Sequence, residues 1–125
     1  MPLLGFKKRY VEPIQLGTKI HTFRAERKHP VKRGDLLYLY CGLRTKNCFR
    51  ILPNAQPCVR VELMTISRWS VKIAGSIVFA EQCEVLARND GFSSFAEMMT
   101  FFEDRLPING QLIFWKEPEK LYWKE

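Results

Sequence analysis

The chain has 125 residues, of which 46% are hydrophobic and 26% are charged. This length and composition predict one globular domain, residues 1–125, with a core of its own. No apolar run approaches the roughly 18 residues of a membrane-spanning helix, so we expect no membrane partner. Between positions 1 and 10 the basic residues follow the apolar ones, the reverse of a secretory signal, so we expect a cytoplasmic protein.

Positive charge is concentrated in the first part of the chain. The net charge is +7; residues 1–50 hold 12 Lys/Arg against 3 Asp/Glu, whereas residues 51–125 hold 8 against 10. Such a basic half suggests a polyanionic partner, with nucleic acid first, although basic residues also form ordinary solvated surfaces.

The four cysteines, Cys41, Cys48, Cys58 and Cys83, form no CxxC pair and show no zinc-ligand spacing. We therefore expect free thiols; a metal site that uses His21 or His29 is only weakly signalled. The chain contains no Walker loop, no GxGxxG and no HExxH motif, so we expect no cofactor and no metal.

Hydrophobic patterning predicts a series of short strands. Residues 3–10 are ambiguous. Residues 43–57 are expected to form a long loop or hairpin excursion, in which Pro53 and Pro57 argue against regular structure. Residues 36–41 are apolar on nearly every position, which predicts a central strand. The predicted strands are residues 19–24, 36–41, 58–66, 69–73, 76–79 and 111–115.

Two helices are predicted in the second half, over residues 81–88 and from Ser94 onward. Ser94 and Glu97 form a capping box, and Pro107 stops the helix. Its apolar stripe comprises Phe95, Met98, Met99, Phe102 and Leu106. Because the strands and helices do not alternate, the pattern favours an α+β fold, a small mixed β-barrel or bent sheet with peripheral helices.

The stretch Gly17-Thr18-Lys19-Ile20-His21-Thr22-Phe23-Arg24 concentrates chemically active groups. Thr22 offers a hydroxyl, Lys19 a base if desolvated or a phosphate contact if not, and Arg24 a planar fork for phosphate or carboxylate. Residues three apart on a strand face opposite ways, so Lys19 and Thr22 meet only if the chain turns or bulges after Gly17.

A complementary acid must come from elsewhere, and Asp90, at the break before Gly91, is the best candidate. Its alternative role is that of a turn or capping aspartate. A carboxylate within about 4 Å of Lys19 or Thr22 would indicate groups able to share protons.

The same stretch matches the GxKxxTxR signature of the ASCH domain family at each specified position. Residues 34–40 resemble the family's GD-plus-strand segment, and residues 87–98 resemble its A-x-x-[DE]-G-F-x-S-x-x-E-[LM] segment. The resemblance covers about residues 16–115. It implies a PUA-like β-barrel with flanking helices, RNA binding in the cleft between barrel and helices, and, by analogy with small hydrolase members, Lys19, Thr22 and Asp90 as a catalytic set.

Three functions remain open at this level. The first is RNA or nucleotide binding through Arg24, His21, Tyr40, Arg44 and Lys46. The second is an amidohydrolase that deacylates N4-acylcytidine-type nucleosides. The third is a ribonuclease that uses the same basic cleft.

Overall fold

The computed structural model describes residues 2–125, which form two β-sheets and three short α-helices. The α+β class predicted from the patterning is confirmed. The strands are β1 (Leu3–Phe6), β2 (His21–Ala25), β3 (Leu36–Cys41), β4 (Phe49–Arg50), β5 (Gln56–Pro57), β6 (Arg60–Ile66), β7 (Val71–Ile73), β8 (Ser76–Ile77) and β9 (Ile108–Phe114). The helices are α1 (Val11–Leu16), α2 (Ala80–Asn89) and α3 (Phe95–Phe102), with single 3₁₀ turns at Lys8–Tyr10 and Glu103–Arg105.

The larger sheet has the order β2-β9-β6-β7-β8, and every pair in it is antiparallel. β9 runs between β2 and β6, where Thr22 pairs with Ile113 and Arg24 with Gln111. At Gly110 the backbone of β2 comes so close that an added Cβ would lie 2.0 Å from the Arg24 carbonyl oxygen. Glycine is therefore required for β2 to pair at this point.

The smaller sheet is organised around β3. Strand β3 pairs in parallel with β1 and antiparallel with β4 and β5, which confirms its predicted central position. Leu37, Leu39 and Cys41 are buried, whereas Tyr38 and Tyr40 on the other face are half-buried. The presence of β4 and β5 corrects the expectation that residues 43–57 lack regular structure: short pairings with β3 form on either side of Pro53.

Helix α1 occupies Val11–Leu16, for which the sequence predicted no element. Pro13 lies in its first turn, where the missing N–H costs little. The helix ends at Gly17, whose left-handed φ of 83° reverses the chain. The backbone amides of Thr18 and Lys19 both donate to the Pro13 carbonyl. This compact end places Lys19 before β2 rather than within it.

Helices α2 and α3 agree with the predicted pattern. The Ser94 hydroxyl accepts a hydrogen bond from the Glu97 amide at 3.1 Å, as in a capping box. The Glu97 carboxylate accepts from Ser93. Met98 and Phe102 are buried in the stripe, and Phe95, Met99 and Leu106 pack partly against the core.

Some strand boundaries differ from expectation. The strand predicted over residues 69–73 begins at Val71 and leaves Trp69 89% exposed, and Phe79 caps α2 instead of ending β8. In the charged C-terminal segment, residues 116–125, the aromatic side chains of Tyr122 and Trp123 are buried. The four cysteines are free thiols, as predicted. None of the helices in residues 2–125 has the length and apolar character to cross a bilayer.

Candidate functional site at the Lys19–Asp90 cavity

A cavity of about 210 Å³ is lined by β1 and β2, which belong to different sheets, and by residues at the α2–α3 junction. This volume is below the roughly 300–1,000 Å³ of pockets for drug-sized ligands, so the cavity suits one small planar or compact group. Four of its polar lining residues are ones that the sequence pointed to: Lys19, Thr22, Arg24 and Asp90.

Lys19 is 2% exposed, and its ammonium contacts groups from two segments that are far from each other in the chain. Nζ donates to the His21 carbonyl at 2.8 Å and also to the Asp90 carbonyl. The carboxylate oxygen Oδ1 of Asp90 lies 3.6 Å from Nζ, within the range at which the two groups were expected to cooperate. The cavity wall thus places an amine beside an acid.

Burial changes the proton affinity of this lysine. The pKa of Lys19 is lowered from 10.5 to about 8, mainly by desolvation; Asp90 acts in the opposite direction, and nearby Arg24 contributes to the lowering. A lysine with this pKa exists partly as a neutral amine close to physiological pH. It is therefore able to accept a proton there, which an exposed lysine rarely does.

Thr22 and Arg24 lie on the same side of β2. Arg24 Nε donates to Thr22 Oγ1 at 3.2 Å, and Nη2 donates to the Gly5 carbonyl at 2.7 Å. The guanidinium also lies 4.9 Å from the ring centre of Phe6. Because Lys19 precedes the strand, it reaches the same cavity as Thr22 without a bulge, which resolves the difficulty posed by their spacing.

Asp90 follows the last residue of α2, with its amide bonded to the carbonyls of Leu86 and Ala87. Gly91 comes next with a φ of 94°, and an added Cβ there would lie 2.9 Å from Lys19 Cδ and 3.0 Å from Tyr10 Cδ1. Glycine at this position thus permits both the turn and the close packing of Lys19 against it.

His21 was predicted as a ligand contact, and the structure places it elsewhere. It does not line the cavity and is fully buried on the other side of β2. Its Nδ1 lies 2.7 Å from Asp90 Oδ1, and its Nε2 lies 3.1 Å from the Tyr122 hydroxyl. Its imidazole therefore contacts a cavity residue, Asp90, without lining the cavity itself.

The other predicted binding residues lie on β3 of the smaller sheet and in the turn that follows this strand. Tyr40 accepts a hydrogen bond from Arg50 Nε at 3.3 Å. Arg44, with a left-handed φ of 67°, and Lys46 are exposed in the turn between β3 and β4. The structure does not bring these three residues to the cavity.

An aromatic and cationic rim was missed from the sequence. Tyr10, Phe92 and Phe101 line the cavity. Arg9 lies over all three rings at 4.8 to 5.9 Å from their centres, and the Lys7 ammonium lies 5.1 Å from that of Phe101. These residues come from separate segments and share no motif. The sequence therefore showed that the chain is rich in aromatic and basic residues, but not that these ones pack together.

Within residues 2–125, no cluster of three or more His, Cys, Asp or Glu side chains is arranged to hold a metal ion. Comparison of the chain with protein-family models, curated proteins and solved structures gives no match. The chemical capacity of the site thus follows from its own groups: a hydroxyl, an amine of lowered pKa, a carboxylate and a guanidinium facing one small cavity.

Proposed function

We propose that the cavity binds a single nucleotide, free or within RNA, with the base inside and the phosphate at the cationic rim. The observation that carries this proposal is the cavity itself, where aromatic walls meet Lys19, Thr22, Arg24 and Asp90. Aromatic faces stack on any base, and the polar groups offer both donors and an acceptor for its edge.

The charge at the mouth supports an anionic ligand. Lys7 and Arg105 line the cavity and are exposed, and Arg9 stacks beside them. Among the described residues that line it, Asp90 is the one carboxylate. A phosphate at the rim would therefore meet cations, while the acid lies deeper.

The resemblance to ASCH domains supports the same proposal. We infer a PUA-like arrangement in which the two sheets, which are not closed into one barrel, correspond to the family's barrel strands and α2 and α3 flank them. Residues from two separate motif blocks, Lys19 and Asp90, line one cavity between a sheet and helices, which is where the family's cleft is expected.

The binding test is titration of the protein with the four nucleoside monophosphates and with short single-stranded RNA at several salt concentrations. Lys7→Gln and Arg105→Gln are expected to weaken binding of both kinds of ligand. For the single-stranded RNA, each is expected to reduce the slope of log K against log salt by about 0.7. Lys72→Gln, which changes an exposed side chain on β7, is the matched control. Binding that is absent, or lost through Arg44→Gln and Lys46→Gln but not through the rim variants, contradicts the proposal.

Hydrolysis of an amide is a second candidate function, favoured by the 3.6 Å approach of Lys19 and Asp90 in the cavity that holds Thr22. Thr22 Oγ1 would attack the amide carbonyl while neutral Lys19 accepts its proton. The tetrahedral intermediate would break its C–N bond as Lys19 returns that proton to the leaving amine. Water, activated by the Lys19 amine, would then hydrolyse the ester formed with Thr22 and release the acyl group as a carboxylic acid.

The assay for this second function is turnover of N4-acetylcytidine. Thr22→Val removes the nucleophile with little change of shape, and Lys19→Met removes the base; both are expected to abolish turnover. Thr100→Val, on the exposed side of α3, is the matched control. Turnover that survives both cavity substitutions would exclude this mechanism.

A further inference from the structure

We propose that His21 is a positioning residue that orients the Asp90 carboxylate toward the cavity, and that Tyr122 and Asn89 hold His21 in the orientation this requires. The inference rests on the proposed role of the cavity, because it concerns the acid that a ligand would meet there. Neither Tyr122 nor Asn89 touches the cavity.

The direction of each hydrogen bond in this group follows from the chemistry of its members. The Asn89 Nδ2 amide donates to the Tyr122 hydroxyl, which leaves the hydroxyl proton free for His21 Nε2 at 3.1 Å. The carboxylate of Asp90 only accepts, so the proton of a neutral imidazole must be on Nδ1, 2.7 Å away. The chain Asn89–Tyr122–His21–Asp90 is thus consistent with one tautomer.

Packing fixes the orientation of the His21 imidazole. His21 is fully buried, with Phe114 and Tyr122 at 4.7 and 5.7 Å between ring centres. The charged or titratable groups that face it are Asp90, Lys19 and Tyr122. Burial lowers the pKa of His21, so the ring stays neutral and donates without competing with Lys19 for the carboxylate charge.

The result is a carboxylate with one oxygen committed and one available. Oδ1 accepts the hydrogen bond from His21 Nδ1–H and lies 3.6 Å from the Lys19 ammonium, whereas Oδ2 has no hydrogen-bond partner in residues 2–125. Asp90 lines the cavity, so Oδ2 is the oxygen offered to a ligand. Imidazole–carboxylate pairs orient metal ligands and catalytic groups in the same way.

The first test reads the network without any ligand. In a His29→Gln background, ¹⁵N NMR reports the tautomer of His21, the remaining histidine. We expect the Nδ1–H form in the otherwise native protein, whereas an Nε2–H form would overturn the proposal. In Tyr122→Phe we expect a changed ring signal and a Lys19 titration displaced below its native midpoint, because a loosened carboxylate stabilises the ammonium less.

The second test reads the consequence for binding. Tyr122→Phe is expected to weaken the nucleoside monophosphate bound best by the native protein about tenfold. Tyr38→Phe, on β3, is the matched control. His21→Asn, which keeps a donor near the Nδ1 position, should restore more affinity than His21→Leu. Equal affinities for these two variants, with an unchanged Lys19 titration in Tyr122→Phe, would overturn the positioning role.

The two tests separate this proposal from the proposed function. If the native protein binds none of the monophosphates, the nucleotide proposal fails. The His21 tautomer and the Lys19 titration then decide by themselves whether His21 positions Asp90.

Discussion

The carboxylate of Asp90 and the ammonium of Lys19 lie 3.6 Å apart although the two residues are 71 positions apart in the chain. Lys19 is brought there by the end of α1 and Asp90 by the end of α2. Both are buried, so their interaction is screened little by solvent. The proton affinity of Lys19 therefore depends on Asp90, and this dependence can be measured.

Replacement of Asp90 by asparagine is expected to lower the pKa of Lys19 further from about 8. The carboxylate favours the ammonium form, and its removal leaves desolvation and Arg24 unopposed. NMR of ¹³Cε-labelled lysine would follow the titration. Asp35→Asn, which removes an acid before β3, is the control. A Lys19 midpoint that stays the same in Asp90→Asn would show that the two groups are not coupled.

Stability should depend on pH through Lys19. Between pH 8 and 10.5 the unfolded chain retains this proton while the folded protein releases it. The unfolded state binds more protons in this window, so the contribution of Lys19 to the free energy of unfolding rises with pH. The full rise corresponds to about 3 kcal/mol.

The measurement is urea unfolding of the native protein and of Lys19→Met at several pH values from 7 to 11. Other groups titrate in both proteins, so the difference between the two curves isolates Lys19. We expect that difference to grow in favour of the native protein as pH rises. Parallel curves would contradict a lowered pKa in the folded state.

Gly91→Ala should destabilise the protein more than Gly34→Ala. Both glycines have a φ of 94°, but nothing lies within 4 Å of an added Cβ at Gly34, whereas Lys19 Cδ lies 2.9 Å from one at Gly91. The backbone conformation alone costs roughly 1–2 kcal/mol at either position. Chemical denaturation would measure how much more free energy of unfolding Gly91→Ala loses than Gly34→Ala. Equal losses would mean that Lys19 moves aside freely.

Arg24→Lys should reduce ligand binding despite the retained charge. The guanidinium bonds Thr22 Oγ1 and the Gly5 carbonyl together, and one ammonium cannot reproduce this planar arrangement. We expect affinity for the preferred monophosphate to fall about tenfold. Arg27→Lys, which changes an exposed side chain just after β2, provides the control. Equal affinity in the two variants would show that Arg24 does not contact the ligand.

Much of the local structure was predictable because its causes are local. The apolar run that predicts β3 and the Ser94 cap each depend on neighbouring residues. The candidate residues Lys19, Thr22, Arg24 and Asp90 were also visible, from side-chain chemistry and from the resemblance.

The placement of His21, Tyr40, Arg44 and Lys46 was not predictable in this way. Their side chains suit a ligand, but His21 faces the interior and the other three belong to the second sheet and its turn. Strand alternation indicates which residues share a face without saying which face borders a cavity. The burial of Tyr122 depends on where β2 and α2 meet, which no pattern in residues 116–125 expresses.

By itself the sequence determined the α+β class, the positions of most strands and helices, and the types of group available for chemistry, because propensity, capping and alternation act over a few residues. Only the tertiary structure decided that Lys19 and Asp90 share a cavity, that His21 and Tyr122 stand behind the acid, and that the lysine's pKa is lowered to about 8. Desolvation and charge coupling are properties of assembled surroundings, and those surroundings come from segments far apart in the chain.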